Sequence, residues 1–64
     1  MAKFPDVHVQ LTGRDGNAFV IIGAVSSALK RAGHREASDE FIKEATSGDY
    51  DHLLRTAMEY VEVD

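Results

Sequence analysis

Two short phrases in this chain carry residue types that could do chemistry. The first is Gly13-Arg14-Asp15-Gly16-Asn17, a glycine-rich turn ahead of an apolar run. Free backbone N–H groups at a helix start, a helix dipole and one guanidinium could hold a phosphate or carboxylate, so Gly13, Arg14, Gly16 and Asn17 form a candidate anion site. The spacing also has the GxxG form with which KH domains clamp a nucleic-acid backbone. Here the turn follows a strand rather than joining two helices, and Asp15 places negative charge where phosphate would lie. It lacks the GxxxxGK[ST] of a Walker loop and the GxGxxG of a dinucleotide turn. A structural turn with a helix cap accounts for the same residues.

The second phrase is Asp49-Tyr50-Asp51-His52. Asp49 and His52 are three apart and can share a helix face, which would supply two ligands to a divalent cation. A third would have to come from elsewhere in the fold, for example His8 or Glu62, and no EF-hand pattern surrounds the phrase. Asp49 as a cap, Asp51 at a helix start or paired with Arg55, and Tyr50 in packing explain it without a metal. No metal or other cofactor is therefore expected. Catalysis has still less support. Ser26-Ser27 has no nucleophile-elbow context, and His8, His34 and His52 sit on three separate segments. The chain is read as a non-enzyme.

The elements that position these residues follow from periodicity. Val7, Val9 and Leu11 alternate with His8 and Gln10, the pattern of a strand with one buried face. A helix over residues 18–32 is predicted next, capped by Asn17 and stopped by Gly33, with Lys30, Arg31 and His34 where the dipole favours cations. Phe19, Val20, Ile21, Ile22 and Val25 leave its first half apolar all round. Gly23, Ala24, Ser27 and Ala28 form a strip of small residues that would admit another backbone.

A second helix starts between Arg35 and Ser38 and ends near Ser47, with Ala37, Phe41 and Ala45 on one stripe and Ile42 beside it. Gly48 stops it. Asp49 caps a third helix whose apolar residues are Tyr50, Leu53, Leu54, Ala57 and Met58. Residues 60–64 read as a closing strand whose Val61 and Val63 would complement Val7 and Val9. The expected fold is α+β, one small domain over residues 1–64 in the order β-α-α-α-β, with three helices on a two-stranded sheet and residues 1–6 loose. Phe19, Ile22, Leu29, Phe41, Leu53, Leu54 and Met58 are the expected core.

Val9-Gln10-Leu11-Thr12-Gly13, Asp15-Gly16-Asn17-Ala18-Phe19, Ser47-Gly48-Asp49-Tyr50-Asp51-His52-Leu53-Leu54 and Tyr60-Val61 together resemble a family of short uncharacterised proteins of bacteria and their phages. The likeness runs from Val7 to Val63 through two signatures, LTGxDGNAF and SGDYDHLL. It implies a small-domain architecture and a bacterial or phage origin. It implies no mechanism.

Composition narrows the function classes. A chain of 64 residues supports only a marginal core, and the absence of cysteine removes disulfides and thiolate zinc sites as staples. A second subunit or unusually efficient packing remains. Residues 1–35 hold five basic and two acidic side chains, whereas residues 36–64 hold nine acidic and two basic, giving the net charge of −4. That balance disfavours nucleic acid, whose affinity comes mainly from phosphate neutralisation. The longest apolar run, residues 18–22, is far below the ~20 residues that span a bilayer, so no membrane is expected and the protein is read as cytoplasmic.

The function expected is therefore a protein-interaction or regulatory accessory domain, engaging a protein partner or forming a homodimer. Asp39, Glu40, Glu44, Asp49 and Asp51 are its expected contact surface for a basic partner. The alternative is a nucleic-acid-binding module using the Gly13–Gly16 turn with Lys30, Arg31 and Arg35.

Overall fold

The computed structural model describes residues 2–11 and 17–63. Strand β1 (Phe4–Val9) is followed by helices α1 (Ala18–Arg31), α2 (Arg35–Ala45) and α3 (Tyr50–Tyr60), and strand β2 (Val61–Val63) closes the domain. The fold is α+β in the expected order. The two strands pair in parallel, with Val9 opposite Val63 and His8 opposite Glu62. Parallel neighbours cannot be joined by a hairpin, so the three helices together make the crossover.

The helix boundaries have local causes. Asn17 Oδ1 accepts the Phe19 N–H at 2.8 Å and opens α1. Gly33, at φ +89°, turns the chain out of α1 in a conformation that side chains rarely adopt. Asp49 Oδ1 accepts the His52 N–H at 2.9 Å and opens α3.

The register of the sheet is broken between Phe4 and His8, where β1 advances four residues while β2 advances one. Pro5 lies in that break and has no N–H to offer a ladder. The segment expected to be loose is instead anchored from Lys3 onward. The Lys3 N–H donates to the Glu59 carbonyl at 2.7 Å, and its ammonium lies 4.5 Å over the Tyr60 ring. The Phe4 ring sits 4.4 Å from that of His34 and 6.4 Å from that of Tyr60.

Between the helices and the inner sheet face lie Val7, Val9, Ile21, Val25, Leu29, Phe41, Leu53, Ala57, Tyr60 and Val61, all buried. Ile22 and Leu54 are only partly buried and pack on its margin. Tyr60, expected in the strand, is the last residue of α3, and its ring meets Phe41 edge-on at 5.5 Å.

Two expected core residues lie outside. Phe19 is 84% exposed and Met58 is 56% exposed. In α1 the buried arc holds Ile21, Val25, Ser26, Ala28 and Leu29. Phe19 lies seven residues before buried Ser26 and on nearly the same face, so it is exposed by its place in the first turn of α1, and burial on that face is reached only further along the helix. In α3 the buried arc turns toward Thr56 and Tyr60 and away from Met58. Thr56 enters the core because its hydroxyl donates to the His52 carbonyl at 2.7 Å, which leaves no polar group unmatched. Ser38 enters likewise, donating to the Ser26 carbonyl at 3.2 Å and tying α2 to α1.

The first half of α1 is thus amphipathic rather than enclosed. Of the small-residue strip, Ala28 is buried and Ala24 half-buried, whereas Gly23 is exposed and a Cβ there would meet nothing within 4 Å, so no backbone approaches at Gly23.

Candidate protein-interaction site

The exposed phenylalanine stands at one end of the helical bundle, where the first turn of α1, the last turn of α2 and the first turn of α3 converge. α1 and α2 are joined by a short turn and run back along each other, which brings the start of α1 to the end of α2. The α2–α3 turn then places Tyr50 at the same end. Between them lies a groove of about 300 Å³ whose lining includes Ala18, Phe19, Ile22, Ala45, Asp49 and Tyr50. Among its described lining residues, Asp49 carries the only charge. Tyr50, 43% exposed, also begins a ridge of Tyr50, Leu54 and Met58, spaced four apart along α3.

His52 ties the start of α3 to the end of α2. Its Nε2 lies 2.9 Å from the Glu44 carbonyl oxygen and 3.2 Å from Ser47 Oγ. A carbonyl can only accept, so the imidazole carries its proton on Nε2 in this arrangement. Ser47 Oγ also donates to the Glu44 carbonyl, at 2.7 Å. The Glu44 carbonyl, which also accepts the Ser47 backbone N–H at 3.2 Å, is therefore met by two side chains, one from the turn and one from α3. The Glu44 carboxylate approaches the same Nε2 at 3.6 Å. His52 is accordingly a bridge between two helices, and Asp49 beside it is a cap. Among the described residues no group of three histidine, aspartate or glutamate side chains is placed to hold a metal.

Of the expected anion site, Gly13, Arg14 and Gly16 lie outside the described residues. Asn17 is described, and its side-chain oxygen is engaged by the Phe19 N–H.

The expected acidic surface is exposed at all five positions but does not form one field. Glu40 and Glu44 share a face of α2, in a depression of about 300 Å³ that also holds Lys3, Lys43 and Glu59. Asp39 is about 100° around α2 from Glu40. Asp49 and Asp51 belong to the groove end of the molecule. The Asp51–Arg55 pair expected along α3 is not among the ion pairs of the described residues, which are His34–Asp6 and His52–Glu44.

The cations of the alternative reading are also dispersed. Arg31 lines a depression with His8 and Gln10, whereas Arg35 lines another beside Glu36 and Glu40. His34 presents Nε2 to Asp6 Oδ2 at 3.6 Å, a contact that sequence periodicity does not reveal.

Sequence reading missed the groove because it counted Phe19 as core. The available signal was positional: the Asn17 cap puts Phe19 in the first turn of α1, where a helix end can reach past its neighbours. No helix among the described residues is long and apolar enough to cross a membrane. No protein family, curated protein or solved structure matches the chain.

Proposed function

We propose that this domain is a cytoplasmic protein-interaction or regulatory accessory module, working without catalysis, and that it docks its partner on the groove beside Phe19. The observation that carries the reading is the 84% exposure of Phe19 next to an apolar groove. A phenylalanine offers about 150–250 Å² of apolar surface, and leaving it in water at roughly 25 cal/mol per Å² forgoes several kcal/mol that core burial would have gained. In a domain this small, aromatic residues are the main resource of the core, and three of the other four (Phe4, Phe41 and Tyr60) pack against one another or through Tyr60. Aromatic side chains, phenylalanine among them, are enriched where proteins meet.

Photocrosslinking tests the reading. Benzoylphenylalanine placed at position 19, and separately at exposed Glu36 as a control, is irradiated in cells that make the protein naturally. A discrete adduct from position 19 and none from position 36 is the expected result. Adducts from neither position, or equal adducts from both, would overturn it.

A further inference from the structure

We infer that the occupant of the Phe19 groove is a cationic amphipathic helix. The inference rests on the interaction reading above and adds the chemistry of the partner. No residue of β1 or β2 lines the groove, so an extended strand has no sheet edge to extend there. Side-chain anchoring remains. The Tyr50–Leu54–Met58 ridge runs about 12 Å along α3, two turns of helix, and a partner helix can lay apolar anchors of matching spacing beside it. Phe19 and Tyr50 then bracket a pocket of about 300 Å³, room for one or two anchor side chains.

Charge decides between a second copy and a different chain. Asp49 lines the groove, and the row next to the ridge on α3 is Asp51, Arg55 and Glu59, all exposed. The described charges at the groove and along that row are thus three acids and one base, in a chain whose net charge is −4. A two-fold contact between copies would bring two faces of the same net negative charge together. A partner with lysine or arginine flanking its apolar stripe meets Asp49, Asp51 and Glu59 with opposite charge, which gains encounter rate and register together.

The test is a fluorescence-anisotropy titration of the intact protein with a labelled amphipathic peptide of leucine and lysine, about four helical turns long. The comparator keeps the leucine face and replaces every lysine by glutamate. The lysine peptide is expected to bind one-to-one, with affinity falling as salt rises. Phe19→Ser should weaken it by about tenfold, as loss of an interface anchor does. Asp49→Asn removes the charge while retaining an N-cap, and should weaken it by about threefold.

If both peptides bind equally and Phe19→Ser weakens both, the charge inference falls and the docking reading stands. Lysine-peptide binding that ignores Phe19→Ser would overturn both. If neither peptide binds but the protein self-associates through Phe19, the occupant is a second copy and the inference is wrong.

Discussion

The imidazole of His52 occupies the space that a side chain at position 48 would need: a Cβ on Gly48 would lie 2.8 Å from His52 Cγ and 2.9 Å from its Cβ. Those atoms are close to the α3 backbone and cannot swing aside as the tip of a long side chain can. The same ring closes the end of α2 through the Glu44 carbonyl. A glycine in the α2–α3 turn and a histidine one turn into α3 are therefore one structural unit. That unit fixes the angle at which Tyr50 reaches the groove.

Gly48→Ala should destabilise the domain by about 1–2 kcal/mol, because it displaces the ring and releases its hydrogen bonds. In a His52→Gly background, which removes every clashing atom including the Cβ, the same substitution should cost under ~0.5 kcal/mol. Urea unfolding of the four proteins checks this, and additive losses would show that the two residues are not coupled.

Gly23→Ala should stabilise. The residue is exposed inside α1 and an added Cβ meets nothing within 4 Å, so the gain is the helix propensity of alanine, about 0.5–1 kcal/mol. Calorimetry should show Tm rising by a few degrees. A fall would mean that α1 bends or packs at Gly23.

Phe41→Ala should cost about 3–5 kcal/mol, since Phe41 is fully buried and holds the edge of the Tyr60 ring. A domain of this size has roughly 3–10 kcal/mol of stability in total. Circular dichroism at 25 °C should therefore show a largely unfolded or sharply weakened protein. A melting curve close to the parent's would remove Phe41 from the centre of the core.

What could be read from the sequence was whatever the local backbone demands. Asn17 and Asp49 cap because a short polar side chain before an apolar run satisfies free N–H groups, and Gly33 ends α1 because few other residues tolerate its φ. The rotation of each helix about its own axis was not legible in the same way. Ser26, Ser38 and Thr56 count as polar in any periodicity, yet they are buried, with hydroxyls satisfied on nearby helical carbonyls. A polar residue inside the buried arc is invisible to a count of apolar positions, and so is a helix end that reaches past its neighbours, as the first turn of α1 does at Phe19. The strand was misjudged for a related reason. Pro5 interrupts alternation, so β1 looked as though it began at Val7, while the contacts that hold Phe4 come from Tyr60 and His34, distant in sequence. The groove depends on both helix rotation and the convergence of three helix ends, neither of which a local pattern records.

The measurement closest to the central claim is the unfolding free energy of Phe19→Ser. If Phe19 serves docking and not the fold, stability should change by less than ~0.5 kcal/mol, as for an ordinary surface substitution. A loss of about 3 kcal/mol or more, the cost of removing a core phenylalanine, would place Phe19 in the interior and contradict the account.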